Sequence, residues 1–72
     1  MFKDKFKELR KNNNYTQDDL AAKLNISRQS ISKWENGLSY PTRLMLNRIC
    51  EVFNIQVQEL LNDEEIYAVR KK

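Results

Sequence analysis

Between Ser27 and Gly37 the chain reads Ser-Arg-Gln-Ser-Ile-Ser-Lys-Trp-Glu-Asn-Gly, and its polar residues are spaced to act as one surface. At about 100° per residue, Gln29, Ser32, Lys33 and Asn36 fall on one side of a helix, while Ile31 and Trp34 fall on the other. Amides, hydroxyls and a cation are the groups that pair with base edges in a DNA major groove. No acid falls on this face of the helix; Glu35 lies on the flank, nearer the buried side. Arg28 is also a flank residue, but in the first turn its long side chain can swing beyond the helix end. The chain has no histidine and one glycine. It therefore offers no metal cluster, no glycine-rich phosphate loop and no acid–base couple, so neither an enzyme nor a cofactor is expected.

Such a face needs rigid elements behind it. Leu20, Ala21 and Leu24 form one apolar stripe at i, i+1 and i+4, which predicts a helix over about 17–24. Thr16 is its natural N-cap, and Asp18 and Asp19 place negative charge near the positive end of the helix dipole. Asn25 tolerates the left-handed conformation that ends many helices. Ser27 then caps the helix that carries the polar face, and Gly37 ends it. Upstream, Phe2, Phe6 and Leu9 at i, i+4 and i+7 predict a first helix over about 2–12, broken by Asn12, Asn13 and Asn14. Downstream, Thr42 follows Pro41 as an N-cap for a helix to about residue 53 that buries Leu46, Ile49, Cys50 and Phe53, with Asn54 at its end. A short helix over about 56–61 would bury Val57, Leu60 and Leu61.

A chain of 72 residues makes one domain, since a chain this short buries only about 60% of its unfolded surface. With 40% hydrophobic and 32% charged residues the composition is that of a soluble globular protein. No apolar run approaches the roughly 20 residues of a membrane span, and the charges after Phe2 leave no apolar core for a secretion signal. The single cysteine, Cys50, forms no internal disulfide, in keeping with a reducing cytoplasm, and it reads as a small buried hydrophobe. A net charge of +3 is a mild bias towards polyanions. Its distribution says more: Arg28, Lys33, Arg43 and Arg48 fall in and after the helix that carries the polar face, while Asp63, Glu64 and Glu65 cluster in the tail. That tail, with an acidic start and a basic end, suits a helix, yet Ile66-Tyr67-Ala68-Val69 would also suit a short strand.

Thr16-Gln17, Leu20-Ala21, Leu24 and the run Ile26 to Gly37, with Tyr40-Pro41 beyond, resemble the helix-turn-helix of the phage repressor and Cro family, also called the xenobiotic response element family. Leu9-Arg10 before the motif and Leu46, Ile49, Phe53, Leu60 and Leu61 after it extend the similarity over about 2–61. The resemblance implies an all-α, compact five-helix DNA-binding domain over 1–61, with 62–72 as a C-terminal tail that can contribute to dimerisation. It differs in two places. Where the family often has glycine after the first helix, a left-handed asparagine must serve, and where it caps the fifth helix with Ser or Thr this chain has Gln56, so that start is expected to fray.

The resemblance further implies roles for single residues. Arg28, Gln29, Lys33 and Ser32 would contact bases; Gln17, Ser30, Asn36 and Arg43 would contact phosphates, with phosphate a rival role for Lys33. Arg10 and Glu35 would form an ion pair between the first and third helices, and Trp34 would be a core residue rather than a stacking platform. The function implied is that of a sequence-specific double-stranded DNA-binding transcriptional regulator, a repressor, which inserts the helix over about 28–36 into the major groove of an inverted-repeat operator. The alternative is a protein-interaction module of the same fold, such as an antitoxin or adaptor. A homodimer is expected, because such domains gain specificity from two half-sites; Leu44, Val52, Ile66, Tyr67 and Val69 are its candidate apolar contacts. Neither a membrane nor a small-molecule ligand is expected.

Overall fold

The computed structural model describes residues 1–70; Lys71 and Lys72, the end of the tail 62–72, lie outside the described residues. Among these there are six helices: α1 (Phe2–Asn12), α2 (Gln17–Leu24), α3 (Arg28–Glu35), α4 (Arg43–Phe53), α5 (Val57–Leu60) and α6 (Asp63–Arg70). The five helices expected over 1–61 are joined by a sixth in the tail.

Short polar side chains mark the helix boundaries. Asn14, Asn25 and Asn54 take positive φ values of 60°, 57° and 55°, a conformation that asparagine reaches more readily than most residues. Asn25 and Asn54 close α2 and α4, and Asn14 turns the chain between α1 and α2. At the other ends, the side chains of Thr16, Ser27 and Thr42 accept from the backbone N–H groups of Asp19, Ser30 and Met45. Asp19 returns the contact: its Oδ2 accepts from the Thr16 N–H at 2.9 Å, closing a capping box. The Thr16 backbone N–H, and then its hydroxyl, hold the Asp19 carboxyl below its ordinary pKa. This contribution is complete above the ordinary carboxylate pKa and is lost as pH falls through the lower folded value. Thr16→Ala should cost about 1 kcal/mol in chemical denaturation, and a loss near zero would mean that α2 holds without its cap.

The start of α5 is firmer than Gln56 suggests, because Glu59 Oε2 accepts from the Gln56 N–H at 2.8 Å. In the tail, Asn62 Oδ1 accepts from the Glu65 N–H at 2.8 Å, and Glu65 Oε1 accepts from the Asn62 N–H at 3.0 Å. The other carboxylate oxygen of Glu65 accepts from the Phe2 N–H at 2.9 Å, satisfying one of the donors that the start of α1 leaves open. One side chain thus begins α6 and seats it against α1. The tail is helical, and Ile66 and Val69 pack against the core; Tyr67 points outward with 66% of its surface exposed.

That core contains Phe2 and Phe6 of α1, Leu20, Ala21 and Leu24 of α2, Ile31 and Trp34 of α3, Leu46, Ile49 and Phe53 of α4, and Leu60 and Leu61. Phe6 is fully buried in it, stacked on Phe2 at 5.2 Å and in a T-shaped contact with Trp34 at 5.7 Å between ring centroids. Leu9, Cys50 and Val57 are only partly buried against it. Burial, and then the nearby Glu59 carboxylate, push the Cys50 thiol pKa up, which opposes thiolate chemistry. No described helix is long and apolar enough to cross a membrane.

Candidate nucleic-acid interface

The outward face of α3 is set by what lies beneath it. Ile31 and Trp34 are buried, so at helical periodicity the residues between them must look away from the core. Arg28, Gln29, Lys33 and Asn36 are exposed and Ser32 is half-buried. Arg28, Gln29 and Ser32 come together along one shallow groove, and its fourth lining residue is Asp18, from the first turn of α2. The face of α3 itself carries no acid; the packing of α2 against α3 supplies one from outside. In the sequence Asp18 reads only as a charge at the helix dipole, although its place one residue after Gln17 in a helix-turn-helix unit is a usable signal.

The residues expected at phosphates are held differently. Asn36 Nδ2 donates back to the Ser32 carbonyl at 2.9 Å and to Ser32 Oγ at 3.3 Å, so an external acceptor would have to displace one of these bonds. The Ser30 hydroxyl lies 3.1 Å from that of Ser27. Gln17 turns one amide hydrogen inward, to Glu35 Oε1 at 3.2 Å, and keeps the other. Arg43 is exposed at the start of α4 but borders a different groove, with Tyr40, Leu46 and Val69. The structure therefore does not bring Arg43 beside Arg28 and Gln29.

Behind α3 the Arg10 guanidinium meets the Glu35 carboxylate side on. Arg10 Nε donates to Oε2 at 2.6 Å and Nη2 to Oε1 at 3.1 Å, while Nη1 donates to the Tyr15 carbonyl at 2.9 Å. The two side chains are 12% and 2% exposed. Three elements meet here, because Gln17 of α2 shares Glu35 Oε1 with Arg10 of α1. The pairing of Arg10 with Glu35 matches the expectation; the Tyr15 carbonyl on Arg10 and the Gln17 amide on Glu35 are additions, since no helical spacing links Tyr15 to Arg10 or Gln17 to Glu35. Among the described residues no buried side-chain nitrogen or oxygen lacks a partner, as buried polar groups require. The turn after α3 is closed by Gly37 at φ +73°, where a β-carbon would lie 3.3 Å from the Lys3 Cδ. Both the left-handed backbone and the Lys3 stem of α1 favour glycine there.

The sequence pattern of the family described as helix-turn-helix matches residues 6–60. The chain is 43% identical over 68 residues to the HTH-type transcriptional activator BcrR of Enterococcus faecalis, a match over 94% of this chain and 33% of that protein. To the antitoxin PezA of Streptococcus pneumoniae it is 33% identical over 60 residues, covering 83% of this chain and 38% of the other. Among solved structures, a chain of a SinR protein/SinI protein complex superposes with a TM-score of 0.78 at 25% identity, over 92% of this chain and 65% of that one. The chain thus spans only 33% and 38% of the length of these two sequence relatives.

Proposed function

The chain belongs to the helix-turn-helix family, and from that premise we propose that it is a sequence-specific double-stranded DNA-binding transcriptional regulator that lays α3 in the major groove of an inverted-repeat operator. The observation that carries this reading is the polar face of α3, held outward by buried Ile31 and Trp34 and braced from behind by Arg10 and Glu35. Gln29 pairs with adenine N6 and N7, Arg28 and Lys33 donate to guanine, and Ser32 reaches a base edge. Gln17, Ser30, Asn36 and Arg43 hold phosphates and fix register, Asn36 after releasing a bond to Ser32.

Residues 1–61 form the DNA-binding unit, and a second copy supplies the second half-site. Ile66 and Val69 are engaged by the core, so pairing through α6 uses its outer side, where Tyr67 is exposed, together with Leu44, 71% exposed on α4. The protein acts as a repressor by occupying a promoter, the form of control that needs no contact beyond DNA and a second copy. It works in the cytoplasm and catalyses nothing. A second reading, a protein-interaction module, draws support from the antitoxin relative and from a structural neighbour named as a protein complex.

Selection from random DNA with the purified protein, at stated salt, tests the proposal: an enriched sequence with two-fold symmetry is expected, and no enrichment would sink it. Gln29→Ala should then lose about 1–3 kcal/mol of discrimination, confined to one or two positions of the half-site. Lys33→Ala separates the two roles of that cation, since a pure phosphate contact weakens all sequences alike and lowers the salt slope by about one. In the interaction-module reading, Gln29→Ala leaves the DNA profile untouched.

A further inference from the structure

Asp18 lines the α3 groove, and beyond its place at the positive end of the α2 dipole no role has been given to it there. It is exposed in the first turn of α2 and lines the groove with Arg28, Gln29 and Ser32. Its neighbour Asp19 is tied to the Thr16 cap, whereas Asp18 makes no side-chain hydrogen bond or ion pair among the described residues. A carboxylate at the start of a helix is favoured by the dipole, but that needs no place in this groove, and Asp19 already supplies it.

A negative group in a surface that approaches a polyanion is unfavourable unless a donor meets it. In a major groove such a donor exists in the N4 amino group of cytosine, which aspartate accepts from. On DNA held through phosphates alone no donor is offered, and the repulsion stands. We propose that Asp18 is a specificity-determining residue: it accepts from a cytosine adjoining the bases read by Arg28 and Gln29, and it weakens every complex in which the groove faces phosphates instead. The proposal rests on the DNA-binding reading above. It assigns to Asp18 a cost in affinity and a gain in discrimination, opposite to the effect of the cations around it.

The test compares wild type, Asp18→Ala and Asp4→Ala, the last removing an exposed acid from the first turn of α1, outside the groove. Each is taken through DNA selection and through titration of its preferred and a scrambled duplex at two salt concentrations, with circular dichroism confirming the fold. Asp18→Ala should bind the scrambled duplex about fivefold more tightly and lose roughly tenfold of its preference for cytosine at one position, while Asp4→Ala keeps the wild-type profile. An unchanged profile and ratio in Asp18→Ala overturns the proposal. So does the same change in Asp4→Ala, which would make net charge the cause. If the wild-type chain enriches no sequence, the DNA-binding reading falls and this inference falls with it, an outcome distinct from the first two.

Discussion

Glu35→Ala is expected to lower the stability of this domain by about 3–5 kcal/mol. Three donors converge on the Glu35 carboxylate, the Arg10 Nε and Nη2 and the Gln17 amide, in a site where the two charged side chains are only 12% and 2% exposed. Removing the carboxylate leaves the guanidinium largely out of water with the Tyr15 carbonyl as its remaining acceptor. The loss measures that stranded charge rather than the net worth of the pair, because bringing both ions out of water offsets most of their attraction. Two further variants separate these quantities. Arg10→Ala should cost a similar amount, and the paired replacement Arg10→Met with Glu35→Leu should recover much of it. Urea denaturation reads all three, and a change under about 0.5 kcal/mol for Glu35→Ala would mark a solvated surface charge instead. A domain of this length has only about 4–11 kcal/mol in total, at 0.05–0.15 kcal/mol per residue. The single change should therefore remove a large share, and under the proposed function DNA binding should fall with the folded fraction.

Phe6→Ala has an effect of the same size for a different reason. Phe6 is fully buried, and its ring stacks on Phe2 and meets Trp34 in a T-shaped contact. Truncation loses the transfer free energy of the ring and leaves a cavity that two rigid aromatic neighbours cannot readily fill, about 3–5 kcal/mol together. In a domain of 60–100 residues each kcal/mol moves the melting temperature by about 4–8 °C, so a thermal melt should show a fall well beyond 10 °C. Phe6→Leu, which keeps more of the volume, should cost clearly less. A fall of only a few degrees for the alanine variant would mean that α1 and α3 collapse into the space. Since Phe6 is fully buried, the base preference proposed for the α3 face should stay unchanged in the folded fraction, which distinguishes this residue from Gln29.

The two sites differ in how far they could be read before the fold was known. Phe6 belongs to a repeating apolar spacing with Phe2, and its burial follows from helical periodicity alone. Glu35 lies on a helix flank, where periodicity is silent; its pairing with Arg10 came from the family resemblance, and the Tyr15 and Gln17 contacts came from neither. Gln56 illustrates the same limit at shorter range, since a residue read as a weak cap begins a stable turn once Glu59 returns a hydrogen bond to its backbone.

What the sequence determined by itself is the set of features that close within one helical turn. Thr16, Ser27 and Thr42 meet N–H groups three residues on, Asn25 and Asn54 end their helices in place, and the apolar spacing names most of the core. The polar face of α3 follows from the same periodicity. What tertiary structure alone decided is the company these groups keep. Ile66-Tyr67-Ala68-Val69 is compatible with helix or strand, and it is helical where Asn62 caps α6 and the Glu65 carboxylate accepts from both the Asn62 N–H and, across 63 positions of the chain, the Phe2 N–H. Asp18 entered the α3 groove in the same way. A capping bond spans one turn and is settled by the residues in it, whereas the partner of a side chain that leaves its helix depends on how the helices pack, and no local spacing encodes that.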